Sequence, residues 1–161
     1  MPRQSAGLLV YRRKLGQLQV FLVHPGGPFW AKKDLGAWSI PKGELDENEQ
    51  ALSAARREFA EEVGFGIDGT FIALAPRAQP SRKIIHAWAV EGDVDETSVK
   101  SNEFKIEWPS KSGKFQPFAE VDRCAWFSIV EARRRIHRGQ IPFLDELAEI
   151  LASAKNRRTE V

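Results

Sequence analysis

Cysteine is almost missing from this sequence. A single one, Cys124, stands among 161 residues, so no intramolecular disulfide can form and the composition fits a reducing compartment. It lies in the apolar run Cys124-Ala125-Trp126-Phe127 and reads as a packing residue rather than a reactive thiol. An excess of one charge is missing as well. The 24 basic and 22 acidic residues leave a net +2, too little to argue by itself for nucleic acid or membrane. No run approaches the ~18 apolar residues of a membrane span. Leu8-Leu9-Val10 is cut off by Tyr11-Arg12-Arg13-Lys14, which is too short for a signal-peptide core and reads as a strand. Repeats, linkers and low-complexity tracts are absent too. These absences leave one domain, 1–161, expected in the cytoplasm. Its 42% hydrophobic residues are enough to build a self-sufficient core.

The chain alternates strand and helix signals. Residues 5–12 and 18–24 are short Leu- and Val-rich runs around Lys14-Leu15-Gly16-Gln17, a β-hairpin pattern. His24-Pro25-Gly26-Gly27-Pro28 is a loop by composition, and Ala37-Trp38-Ser39-Ile40 reads as a brief strand stopped by Pro41. The segment Glu49 to Val63 predicts the clearest helix, with Asp46 and Glu49 at capping-box spacing and Gly64 at its end. Strands are expected at 70–75 and 83–91. Residues 92–120 predict a long functional loop with a short strand near 103–108, before a final strand through Trp126-Phe127. Ser128 and Glu131 open a further helix expected to run to about Arg138. Leu144, Leu147, Ile150 and Leu151 then recur at helical spacing. The fold class is α/β (or α+β), a mixed sheet flanked by helices.

Chemistry concentrates between Gly43 and Phe65. On a wheel turning ~100° per residue with Glu58 at zero, Glu61 falls near −60° and Glu62 near +40°, so the three carboxylates share one arc. Leu52, Ala55, Phe59 and Val63 form the adjacent apolar stripe that docks the helix. Carboxylates at i, i+3 and i+4 repel one another, and a hard divalent cation with oxygen ligands resolves that repulsion. On an arbitrary Glu-rich helix the same three residues would be a solvated face balanced by Arg56 and Arg57. Here the surroundings decide otherwise. Gly43, Glu49, Arg57, Glu58, Phe59, Glu61, Glu62, Gly64 and Phe65 fit Gly-x5-Glu-x7-Arg-Glu-U-x-Glu-Glu-x-Gly-U at every position, where U is bulky and apolar. With residue frequencies of roughly 5–10% a chance match is below about one in a million.

That stretch resembles the Nudix box, and the lead-in Trp38-Ser39-Ile40-Pro41-Lys42-Gly43-Glu44 resembles the strand and turn before it in many Nudix pyrophosphohydrolases. The resemblance implies an αβα sandwich and an enzyme that hydrolyses a nucleoside diphosphate linked to a further group. An NTP or a dinucleoside polyphosphate is the expected substrate; ADP-ribose, NADH and RNA 5′ ends stay open. It implies Mg²⁺, with Mn²⁺ as a substitute, held by Glu58, Glu61 and Glu62 with a backbone carbonyl near Lys42-Gly43. It assigns Glu49 and Arg57 to a structural ion pair, and Gly43 and Gly64 to the turns of the motif. The general base is expected from a box glutamate or a later loop, where Glu120 is preferred over Glu103 and Glu107. A non-catalytic nucleotide-sensing domain is the alternative of another class.

Other residues bear on substrate choice. Lys42, beside Gly43, is the expected phosphate contact, since polyphosphates need cations. Arg82 is a second, while Lys32, Lys33, Arg77 and Lys83 read as surface cations. Trp108, in a polar loop, is the expected lid or base-stacking residue, with Phe29-Trp30 as the other candidate. His24 reads as a loop histidine, and Arg133-Arg134-Arg135 with Arg138 as a solvated run near a helix C-terminus. The expected partner is a small nucleotide, with no membrane, no stable nucleic-acid partner and a possible homodimer.

Overall fold

A computed structural model describes residues 2–159, with side chains through residue 154. Nine strands and three helices follow one another. They are β1 (Gln4–Lys14), β2 (Gln17–Pro25), β3 (Lys42–Glu44), α1 (Ala51–Val63), β4 (Ile72–Ala73), β5 (Arg77–Ala78), β6 (Ile84–Glu91), β7 (Glu103–Glu107), β8 (Phe115–Ala119), β9 (Val121–Ser128), α2 (Ile129–Arg135) and α3 (Ile141–Thr159). A seven-stranded sheet runs β4-β6-β1-β2-β9, with β3 paired to β1 and β5 to β6. Only β1 and β6 are parallel, so the sheet is mixed. No helix among the described residues is long and apolar enough to cross a membrane.

Strand alternation divides the core in two. From β1, Ala6, Leu8 and Val10 point to one face, where they join Phe21 and Val23 of β2 and the stripe Ala54, Ala55, Phe59, Val63 of α1. Leu9 and Tyr11 point to the other face, where Trp38, Ile40, Ile136, Phe143, Leu144 and Leu147 cover them. Helices therefore lie on both faces of a mixed sheet, as the interleaved signals predict.

Several boundaries differ from the sequence-based expectation, each for a physical reason. Helix α1 starts at Ala51, after an extended Gln50 with no side-chain cap. Asp46 and Glu49 close a turn ahead of it instead: Glu49 N–H donates to the Asp46 carbonyl at 3.1 Å and Asp46 N–H to Glu49 Oε1 at 2.9 Å. Ala37–Ile40 makes only isolated bridges, Ser39 with Val23 and Trp38 with Ile136. The expected strand at 70–75 shrinks to Ile72–Ala73. Residues 92–120 are no long loop, because β7 and β8 pair as a separate antiparallel hairpin. Pro117 masked the second strand; in a two-stranded ribbon both strands are edges, where a missing N–H is tolerated.

Helix α2 is capped by Ser128, whose hydroxyl accepts from Glu131 N–H at 3.2 Å, but it stops at Arg135. Ile136 turns extended to bury its side chain, and His137 N–H donates to the Trp38 carbonyl at 2.7 Å. The arginine run is not free. Arg133 pairs with Asp145, Arg134 with Glu131, and Arg135 with both Asp34 and Glu131. Cys124 is half-buried against the α1-side core, and burial pushes its thiol up to about 11, which leaves it inert.

Candidate active site

Helix α1 is seated close to the sheet because its packing stripe includes the small residues Ala54 and Ala55, both fully buried. The approach is tightest at β3. Gly43 lies against the carboxyl group of Glu58, and any Cβ there would overlap it. The acidic edge of the helix is therefore drawn into the groove between α1 and β3 rather than left in open water. The Glu58 side chain is only 14% exposed. Glu62 is more deeply placed: its Oε2 accepts from Lys42 N–H at 3.2 Å, and burial pushes its carboxyl up to about 8. Burial also raises Glu58, against the pull of Arg57. The Lys42 ammonium is lowered, first by burial and then by Lys83, while Glu62 and Glu58 oppose the shift.

Arg57 organises the junction. Its Nε and Nη2 form a two-pronged pair with Glu49, both at 2.9 Å, and Nη2 also donates to the Glu44 carbonyl at 3.2 Å. This fork holds the Glu49 carboxyl down to about 2. The remaining Nη1 reaches Glu58 Oε1 at 2.8 Å and Glu61 Oε1 at 3.3 Å. The ion pair expected from the sequence is present, but its extension to two of the box carboxylates is not visible in the motif.

Glu120 reaches the same place by a backbone relay. At the C-terminus of α1, Lys100 N–H donates to the Val63 carbonyl and Asn102 N–H to the Glu61 carbonyl. The Asn102 carbonyl then accepts from Glu120 N–H at 2.8 Å, and the Glu120 carbonyl accepts from Gly26 N–H at 2.9 Å. The Glu120 carboxyl is raised by burial and, secondly, by the charge of Glu61. Together with Lys42, Glu62, Pro25 and Ser39 it lines a cleft of about 140 Å³. Glu103 and Glu107 stand on β7, outside that lining. Sequence carried no signal for Ser101 and Asn102, whose contribution is made by backbone groups and a hydroxyl that accepts from Val121 N–H.

Two expected contacts lie elsewhere. Trp108 follows β7 at the hairpin tip, its ring meeting Phe29 edge-on at 5.5 Å. Arg82, at φ 70°, lines a separate open cavity of about 940 Å³ with Arg3, Gln79 and Lys83. That cavity is the larger, but none of its lining residues is acidic, so the carboxylate chemistry belongs to the smaller cleft. Lys83, from the lining of the larger cavity, stands 3.5 Å from Glu44 of β3. His24 lies within β2, one residue short of its end, and not in the loop. It is fully buried, with Nδ1 2.8 Å from Asp122 and Nε2 2.6 Å from the Lys33 carbonyl, and so it ties down the loop after β2.

Among the described residues no three His, Cys, Asp or Glu side chains converge as a ready-made metal site; Arg57 bridges Glu58 and Glu61 instead. The donor chemistry nevertheless fits a hard divalent cation. The groups are oxygen-only, and the carboxyls of Glu58 and Glu62 are held above their ordinary range by burial. Bare backbone at Gly43 lies beside them.

Residues 1–147 match the family described as NUDIX domain, and the chain belongs to the Nudix family. That family uses divalent metal cations. A stretch of 66 residues is 35% identical to an RNA pyrophosphohydrolase of Bartonella henselae, covering 38% of this chain and 35% of that protein. In fold the chain is similar to a C. elegans Ap4A hydrolase solved as a binary complex: TM-score 0.67, 20% identity, 92% of this chain and 98% of that one. It is also similar to the NUDIX domain of Shewanella oneidensis NrtR complexed with ADP ribose: TM-score 0.62, 16% identity, 94% and 89%.

Proposed function

We propose that this chain is a single-domain cytoplasmic enzyme that hydrolyses a P–O–P linkage in a nucleoside diphosphate derivative, with an NTP or a dinucleoside polyphosphate as substrate and Mg²⁺ (or Mn²⁺) as cofactor. The observation that carries the reading is the gathering of Glu62, Glu120 and Lys42 at one cleft, with Glu58 and Glu61 alongside on α1. The names of two similar proteins, Ap4A hydrolase and RNA pyrophosphohydrolase, point the same way. Glu58, Glu61 and Glu62 would hold the cation, with a backbone carbonyl of Lys42-Gly43. The bound ion supplies neutralisation of phosphate charge and a lowered pKa for water. Lys42 contacts the phosphate chain. Glu120, desolvated and beside Glu61, accepts the proton of the attacking water. The water oxygen bonds to one phosphorus, and the bridging oxygen leaves with its electron pair on the other phosphoryl group. Trp108 stacks the base, and Arg82, beyond Lys83, meets the far end of a long polyphosphate.

The test is phosphate-product release from diadenosine tetraphosphate, NTPs, ADP-ribose, NADH and 5′-triphosphate RNA, with Mg²⁺ and with EDTA. Metal-dependent turnover that collapses in Glu61→Gln and Glu62→Gln supports the enzyme, and the best substrate identifies its task. Nucleotide binding without turnover of any compound would transfer the assignment to a sensing domain.

A further inference from the structure

Two elements meet the cleft beside Glu120 with little bulk to hold them. The flap 26–36 leaves the sheet at Pro25 and returns at Ala37, and both of these residues line the cleft with Glu62 and Glu120. Every residue from Phe29 to Gly36 is exposed, the profile of a segment that opens locally. Strand β9, for its part, starts irregularly. His24 pairs with Arg123 but Pro25 with Val121, which leaves Asp122, two residues after Glu120, as the extra residue of a β-bulge. Such bulges bend a strand and re-aim its side chains.

One buried ring touches both. His24 places Nδ1 2.8 Å from Asp122 Oδ1 and Nε2 2.6 Å from the Lys33 carbonyl. Carboxylate and carbonyl oxygens only accept, so both ring nitrogens are assigned as donors, with Asp122 as counter-charge. Arg123 Nη2, 3.0 Å from Nε2, shares the same carbonyl at 3.4 Å. The Trp38 ring meets the imidazole edge-on at 5.2 Å, and its Nε1 donates to Asp34, the next flap residue, at 2.7 Å. At the other end of the flap Gly26 N–H donates to the Glu120 carbonyl, seated so closely that a Cβ on Gly26 would overlap the Ala119 carbonyl. Packing alone needs no imidazole here: burying its nitrogens costs free energy that Leu22 and Val23, its buried neighbours on β2, avoid.

We propose that His24 is a positioning residue for hydrolysis at this cleft. Through Nδ1 it fixes the bulge that aims Glu120, and through Nε2 it holds the flap 26–36 beside the phosphate chain. The proposal rests on the pyrophosphohydrolase reading, in which Glu120 takes a proton from water. Its two limbs are separable. The first acts on the chemical step, and the second on substrate affinity, because a loose flap must be ordered on binding.

Amide side chains divide the ring. The amide nitrogen of His24→Asn reproduces Nδ1 and keeps Asp122, whereas that of His24→Gln reproduces Nε2 and keeps the Lys33 carbonyl. Asp122→Ala cuts the first limb without touching the ring. Steady-state kinetics on the best substrate of the panel are read beside native-state trypsin nicking after Lys33, which requires that carbonyl to have left the ring. In His24→Asn, KM rises and nicking quickens, each about ten-fold, the scale of one net hydrogen bond, at a wild-type kcat. In His24→Gln and Asp122→Ala, kcat falls about ten-fold while KM and nicking stay at the wild-type level. If His24→Asn and His24→Gln lose rate alike, in step with their melting temperatures and with no split between KM and kcat, His24 is a core residue and the proposal is overturned. If neither His24 variant folds, Asp122→Ala decides: a lowered kcat at unchanged KM supports the positioning role, and an unchanged kcat overturns it. If the wild type turns over nothing, the hydrolase reading falls and nicking alone decides. Faster nicking in His24→Asn than in His24→Gln then keeps the tie, and equal nicking in both overturns it.

Discussion

Helix α1 packs on one face of the sheet through Ala54, Ala55, Phe59 and Val63, and α3 packs on the other through Phe143, Leu144 and Leu147. Both helices carry acids on their polar sides. On α3 the acids do structural work: Asp145 pairs with Arg133, and Glu146 accepts from Ala75 N–H at 2.9 Å. On α1 they are half-sunk in a groove, because two alanines let the helix approach β3 until Glu58 meets bare backbone at Gly43. The difference shows that acidic composition does not make a site. Desolvation beside a second acidic element, here Glu120, does, by raising carboxyls that a cation would then stabilise.

The sharpest way to break the comparison is to neutralise one acid on α1. Glu62→Gln is expected to lower kcat about 10²- to 10⁴-fold while leaving the melting temperature unchanged or higher, since a buried carboxyl beside like charges is relieved. A loss of stability as large as the loss of rate would make Glu62 a structural residue. The mirror experiment is Phe143→Ala under α3. The lost burial and the residual cavity should cost about 3–5 kcal/mol in urea unfolding, with kcat/KM retained well below the transition.

Gly43→Ala lies between these extremes. The added methyl must push Glu58 or the β3 backbone aside, at about 1–3 kcal/mol, and turnover should fall with the displaced carboxylate. Unaltered activity with a full-size stability loss would show that Glu58 is not placed by that contact. The smallest effect is expected for Glu49→Gln. Because Arg57 holds the Glu49 carboxyl near 2 against an ordinary 4.5, its contribution is fully present above 4.5 and is lost as pH falls towards 2. Urea midpoints of wild type and variant should differ near neutrality and converge through that window; a gap independent of pH would mean the pair adds no linked stability.

How much of this was legible before the fold? The nine box positions predict α1 and its acidic arc, because those relations lie within one helix and one turn, while the Glu49–Arg57 pair was implied by the resemblance to the Nudix box. Gly64 also reads correctly: it sits at φ 96° and its N–H donates to the Ala60 carbonyl, a cap that residues with a Cβ resist. The capping-box reading of Asp46 and Glu49 misplaced the helix start by two residues, since the pair closes a turn ahead of an extended Gln50. The short strand expected near 103–108 is β7, but its partner β8 was hidden by Pro117 and by the Gly- and Lys-containing turn. Arg82 and Trp108 could be nominated by residue type alone, and only coordinates separate them from the cleft.

What the sequence determined by itself is local: the helical period of the box, its charge pattern, and the alternation that gives β1 two apolar faces. What tertiary structure decided is everything set by long-range approach. Ser101 and Asn102 bring Glu120, 58 residues after Glu62, to the same cleft. His24 and Arg135 pin the loop that carries Phe29 and Trp30. The close seat of α1 against β3 turns two ordinary glutamates, Glu58 and Glu62, into desolvated ones. Contacts between residues so far apart in the chain depend on packing and backbone hydrogen bonds, which leave almost no trace in residue type.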